Sequence, residues 1–356
     1  MANIFLLRTA KSRGAVWWWL VLFACGQLVL GVCLHRWNLE LCDPVYGSRF
    51  RSLQNYVRKN PNRPLVLVLG TSRTMNGLRP TAMTLPATSP EPPPLIYNFA
   101  ISGSGSVCIR LTYQRLIASG VRPKWLLVET WPLLWPEDGT FDEKRNLAQH
   151  DLGWREIPGL LRYLPKQWNM LGKAVSRDLA PLMVYRSRLL QAMASSLLLP
   201  HVAEQIVGQR RDWQSDDGTG WIPVRDESEQ QRRAIEFGQA TGKPLLNPLR
   251  IHPSSDLALR DLLDECKAYN IRVGLVLMPE HSQCRSWYSP QAKELVRSYL
   301  DGLIRDYGVS VMDTRDWLPD EGFADYLHMA RAAAAPFSER FGREMLYPWL
   351  CSQTQP

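Results

Sequence analysis

A chain of 356 residues, 45% hydrophobic and 21% charged, is long enough for a sizeable core and too apolar to be disordered. Its net charge of +8 suits an anionic neighbour, yet the basic residues are scattered in small clusters such as Arg210-Arg211 and Arg232-Arg233. No zinc-finger, RNA-recognition or basic-zipper pattern is present, so a nucleic-acid partner is not expected.

The first element is Ala15 to Leu34, AVWWWLVLFACGQLVLGVCL, in which Gln27 is the only strongly polar residue. As a helix it would reach about 30 Å, the thickness of a bilayer core. Trp17, Trp18 and Trp19 suit a membrane interface, and Arg8, Lys11 and Arg13 before the segment favour a cytoplasmic tail over residues 1–14. A cleaved signal peptide is the competing reading, but the apolar run is long and no A-x-A-like site follows it. The expectation is an uncleaved anchor over 15–34, a connector over 35–60 with a helix near Ser48 to Arg58, and an extracytoplasmic main domain over 61–350. The membrane is thus the first expected partner. Of seven cysteines, none has a CxxC or Cys/His spacing, so no metal site or cofactor is expected and the disulfide state stays open.

Leu65 to Leu69 is a continuous apolar run of the kind buried on both faces in a parallel sheet. It ends at Gly70-Thr71-Ser72-Arg73. A Pro-rich loop, Pro86 to Pro94, leads to a second strand at Leu95 to Ala100, a Gly/Ser turn through Gly103, and a helix around Val107 to Ser119. A third strand covers Lys124 to Thr130. From about 132 to 250 no strand is evident; Trp-rich, Pro-punctuated stretches, an apolar helix near Leu179 to Leu199 and a polar passage at Ser215 to Gly220 read as an insertion or cap. Alternation then resumes: a helix at Asp256 to Tyr269, a strand at Ile271 to Met278, a helix at Pro290 to Tyr307, a strand at Val309 to Asp313, and a last helix at Met329 to Tyr347. Such alternation predicts an α/β fold, a three-layer α/β/α sandwich on a parallel sheet, with chemistry outside the carboxyl ends of the strands.

Three residues fall at that edge in a chemically suggestive set. A serine hydroxyl just past a strand needs a base to become a nucleophile, and its own N–H can serve a developing oxyanion. Asp325 and His328, three positions apart, can share one face, with Asp325 holding Nδ1 and leaving Nε2 to act as base. Each also has a plainer reading: Thr71 or Ser72 as a helix cap, and Asp325 as a cap on the last helix. Glu280 and Arg285 after the fourth strand, and Arg73 beside the serine, are candidate substrate contacts; loop capping and pairing with a core-edge acid are the alternatives. Gly103-Ser104-Gly105 lacks the third glycine of a dinucleotide fingerprint, and Asp216-Asp217-Gly218 lacks the other ligands of a calcium loop.

Ser early and Asp-x-x-His late is an order that resembles the SGNH/GDSL hydrolase superfamily, above all its membrane-anchored, envelope-associated branches of the DltD-like and alginate-acetylation-like kind. Gly70-Thr71-Ser72-Arg73 resembles its first block, Asn98-Phe99-Ala100-Ile101-Ser102-Gly103 its second, and Asp325 with His328 its last. The resemblance implies a flavodoxin-like sandwich, a Ser72–His328–Asp325 triad, and an oxyanion hole from Ser72, Gly103 and Asn98. It further implies an O-acyl esterase or acyltransferase acting on an acylated envelope glycan, with a multi-spanning membrane acyltransferase as partner. One position departs from the pattern: where the third block supplies Asn, this chain has Val128-Glu129-Thr130. An ionised glutamate donates no hydrogen bond. Either Glu129 points elsewhere, Asn76 or Asn98 substitutes, or the hole is weaker. A non-catalytic glycan-binding or assembly protein on the same fold is the second expectation.

Overall fold

The computed structural model describes residues 2–85, 93–136, 147, 150–164, 169–197, 217–224, 236 and 238–352. Arg210-Arg211, Arg232-Arg233, Asp216 and most of the Pro-rich loop fall outside them.

In chain order the helices that matter here are α1 (Ala2–Trp37), α2 (Leu39–Cys42), α3 (Pro44–Lys59), α4 (Ser72–Gly77), α5 (Ser106–Ala118), α6 (Ile157–Leu161), α7 (Asn169–Leu179), α8 (Pro181–Leu197), α9 (Pro253–Ala268), α10 (Ser282–Ser286), α11 (Pro290–Tyr307), α12 (Arg331–Phe341) and α13 (Tyr347–Cys351). The strands are β1 (Leu65–Leu69), β2 (Leu95–Asn98), β3 (Trp125–Glu129), β4 (Arg272–Leu277) and β5 (Ser310–Asp313). They form one five-stranded sheet in the order β2-β1-β3-β4-β5, parallel at every pairing. The protein is therefore α/β, as the alternation predicts. Observed strands are shorter than the apolar runs because the runs carry on into buried turns, as at Phe99 and Ala100.

Parallel strands need long crossovers, and the register is set by which residues face the core. Val66 lies opposite Ile96 and Trp125, and Leu127 opposite Gly274. Val66, Val68, Leu127, Val276 and Met312 point to one face, where Phe337 and Phe341 of α12 complete the cluster. The strand order reverses at β1, whose neighbours β2 and β3 lead away in opposite directions. A crevice opens outside the carboxyl ends at such a reversal, and Ser72 follows β1.

The chain divides into two compact units. One holds the described residues of Met1–Ser48, His150–Leu161 and Pro165–Asp212; the other holds those of Arg49–Gln149, Arg162–Leu164 and Trp213–Pro356. The expected insertion is thus not one body: α6, α7 and α8 group with α1, and the remainder groups with the sheet. In the first unit Leu34, Leu41, Cys42 and Tyr185 form a small core. Asp151 beside it accepts from Tyr185 Oη at 2.6 Å and pairs with Arg177 at 2.5 Å. The stretch Gly14–Leu34 of α1 is long and apolar enough to cross a membrane. None of the seven cysteines forms a disulfide.

Candidate active site

β1 ends at Gly70, where a Cβ would come within 2.6 Å of Thr74 Oγ1 and 2.7 Å of Glu129 Oε2. No larger residue fits, so the turn closes tightly and α4 starts at once. Thr71 takes the N-cap position, and its Oγ1 accepts the Arg73 N–H at 3.1 Å. The capping duty expected of Thr71 or Ser72 thus falls to Thr71 and leaves the Ser72 hydroxyl for another partner. That partner is His328: Nε2 lies 2.8 Å from Ser72 Oγ.

His328 belongs to a loop tied at both ends to the core. Phe323 and Met329, both buried, form an antiparallel bridge, and the Ala324 N–H donates to the His328 carbonyl at 2.8 Å. Inside that loop Asp325 Oδ1 accepts the N–H groups of Leu327 at 2.7 Å and His328 at 2.6 Å. Its Oδ2 lies 2.7 Å from His328 Nδ1. Burial pushes the Asp325 carboxyl up, but the His328 ring and these two backbone donors outweigh it and hold the group below the ordinary aspartate value. An ionised carboxylate on Nδ1 fixes the ring so that Nε2 faces the serine as acceptor. Helix α12 is capped at Ala330 without a side-chain bond, so Asp325 is not a helix cap. Both side chains stay about a quarter exposed, Asp325 at 22% and His328 at 23%.

The fold thus brings Ser72, His328 and Asp325 into one continuous relay, although the serine and histidine lie 256 positions apart. The sequence has no match among protein-family models or among curated proteins.

Other expected site residues have different employment. Arg73 is buried, donates to the carbonyls of Met278 at 2.9 Å and Pro279 at 2.7 Å, and lies over the Trp131 ring. Its pairing acid is Glu129, 3.6 Å away. Glu280 is buried as well and accepts from Trp131 Nε1 at 3.0 Å and Tyr288 Oη at 2.8 Å. Burial raises its carboxyl above the usual value against the pull of Arg73 and Arg315. Arg285 donates to the Glu280 and Arg315 carbonyls. Ser289, not this stretch, caps α11, through a bond from the Ala292 N–H at 3.1 Å. The side chains expected to meet a substrate, Arg73, Glu280 and Arg285, thus each bond within the protein. Sequence position placed these residues at the right edge but could not give the direction of their side chains.

The candidate donors divide too. Asn98 Nδ2 is spent on the carbonyls of Thr74 and Leu78, at 2.8 and 2.7 Å, so the expectation that it serves an oxyanion gives way to a structural role. Asn76 Nδ2 donates to the Ile222 carbonyl at 2.7 Å. Glu129 does point elsewhere: its Oε2 accepts the Thr71 N–H at 2.7 Å and Thr74 Oγ1 at 2.6 Å. It braces the turn that carries Ser72 from the end of the neighbouring strand. That role escapes sequence reading, although Thr71 and Thr74, three apart on a tight turn, offer the two donors such an acid needs. Gly103, after β2, is half-exposed with φ +73°, a conformation that favours glycine. Ser72 opens α4, and the N–H groups of a helix's first turn have no intrahelical acceptor. Among the described residues no group of His, Cys, Asp and Glu is placed to hold a metal ion.

Proposed function

We propose that this chain is a serine O-acyl esterase or O-acyltransferase of SGNH/GDSL type, anchored in a membrane by α1 and acting on a cell-envelope or exported polysaccharide. One observation carries the catalytic part of the reading: the hydrogen-bonded line from Asp325 Oδ2 through both ring nitrogens of His328 to Ser72 Oγ. In the proposed cycle Nε2 takes the serine proton as Oγ bonds to the acyl carbonyl carbon. The tetrahedral oxyanion is held by the N–H groups of Ser72 and Gly103. The imidazolium, stabilised by Asp325, returns the proton to the leaving alcohol as its bond to carbon breaks, leaving an acyl-enzyme. Water or a sugar hydroxyl then repeats the sequence in reverse and frees the serine.

The strand order and the cover of α12 on one face support the three-layer flavodoxin-like sandwich as the finer description of the fold. The length and composition of Gly14–Leu34, with basic residues before it, support an uncleaved anchor and a main domain outside the cytoplasm. Transfer, in partnership with a multi-spanning membrane acyltransferase, rests on the likeness to envelope-modifying branches.

Labelling with a serine-directed fluorophosphonate tests the enzyme directly. The expected result is an adduct at Ser72 that disappears in His328→Ala. A folded protein that takes no label would leave the glycan-binding alternative in its place.

A further inference from the structure

Gln27 lies in the middle of the apolar stretch of α1, yet it is buried. Its Oε1 accepts the N–H of Leu182 at 3.1 Å, in the first turn of α8. That bond completes an accounting around the α7–α8 turn. Ala180 donates to the Ser176 carbonyl at 2.9 Å, Met183 and Val184 to the Ala180 carbonyl at 3.0 and 3.2 Å, and Pro181 has no N–H. No N–H from 180 to 184 is left needing water, which meets the donor half of what a bilayer interior demands of a turn.

Side chains and heights agree with the backbone. The exposed large residues around the turn are apolar: Val175, Leu179 (64% exposed), Leu182, Met183 (58%) and Val184. Of the charges there, Arg177 and Asp178 are held together at 3.3 Å, Arg177 also pairs with Asp151, and Arg186 turns its guanidinium back to donate to the Met183 carbonyl at 2.6 Å. Pro181 packs 3.6 Å from where a Cβ on Gly31 would stand. Leu34, at the end of the apolar stretch, is seven residues beyond Gln27, about 10 Å along the axis. Arg188 is six residues beyond Leu182, about 9 Å along α8, and there it donates to the carbonyls of Leu41 and Cys42, past the end of the stretch. Lys173, exposed, lies on the other arm six residues before Leu179.

We propose that α7 and α8 form a re-entrant hairpin whose tip, residues 179–184, sits in the lipid hydrocarbon about 10 Å below the interface, with Gln27 as its internal cap. This rests on the reading of α1 as a membrane span. The lipid is favoured as occupant because the tip is level with a segment already apolar enough for hydrocarbon and because its donors are satisfied without water. The hairpin makes the membrane attachment a three-helix unit rather than a single tether.

The full chain is reconstituted in phosphatidylglycerol/phosphatidylcholine vesicles carrying a diazirine on the acyl chain, irradiated, and mapped by peptide mass spectrometry. Adducts are expected both on α1 and on the 179–184 peptide. In Met183→Lys the hairpin adducts should fall at least tenfold while those on α1 persist. Adducts on α1 alone would overturn the hairpin and leave the anchor standing, and cross-links between copies at 179–184 would then name a second molecule as the cover. Absence of adducts on both would overturn hairpin and anchor together. Full hairpin labelling in Met183→Lys would also count against the proposal, since a lysine there should not remain in hydrocarbon.

Discussion

Two groups of polar side chains share the carboxyl edge of the sheet, and they differ in almost every physical respect. Ser72, His328 and Asp325 sit on a turn and a clamped loop, partly open to solvent, each with an atom directed at the next. Arg73 and Glu129, one residue and one strand away, have side chains 3% and 0% exposed; Arg73 and Arg285 donate to backbone carbonyls, while Glu129 accepts from Thr71 and Thr74 and Glu280 from Trp131 and Tyr288. Charge near a candidate site is therefore a poor guide to chemistry. What separates the sets is burial: the charges of the second set bond inside the protein, whereas the three residues of the first stay partly open to solvent.

The largest way to break this contrast is Ser72→Ala. Hydrolysis of a p-nitrophenyl acyl ester should fall on the order of 10⁶-fold, with the circular dichroism and melting curve unchanged because Thr71 holds the cap. Asp325→Asn comes next, with a loss of about 10⁴-fold in kcat. The amide would set its NH₂ against Nδ1 and favour the wrong tautomer. The same carboxyl adds a stability term with a defined sign. Its value is lowered on folding, so its contribution is present above the ordinary aspartate value and is lost as pH falls through the lowered one. Acid unfolding of Asp325→Asn should be less steep over that window, and an identical acid limb would argue against the hydrogen-bond set at Asp325.

Glu129→Ala tests the buried set. It leaves Arg73 without its counter-charge and Thr71 N–H without an acceptor, and should cost about 3–5 kcal/mol in denaturant unfolding. Retention of full stability would show that the pair is not a brace. Glu280→Gln is the mildest change, within about 1 kcal/mol at neutral pH, since the amide oxygen can still accept from Trp131 and Tyr288. Its pH dependence is the sharper readout. The Glu280 carboxyl is raised by burial, so the wild type should lose stability as pH climbs from the ordinary glutamate value through the raised one, and the variant should not.

Much of this fold is legible in the residues because buried parallel strands must be continuously apolar. Leu65–Leu69 satisfies that requirement along its full length and is buried throughout. The relay was legible for a related reason, since residues directly after such strands reach a common edge. Side-chain direction is not encoded so locally: Asn98 turns inward to the carbonyls of Thr74 and Leu78, a fact of tertiary packing. The grouping of α7 and α8 with α1 is likewise invisible to periodicity. It depends on a hydrogen bond between residues 155 positions apart.

The transfer of the cap to Thr71 has an evolutionary consequence. Since Thr71 and not Ser72 caps α4, a descendant that loses one oxygen atom at position 72 keeps the cap that holds its turn. For the enzyme proposed above, the distance to an inert lectin-like relative is then a single codon, with no lost helix cap to oppose the drift.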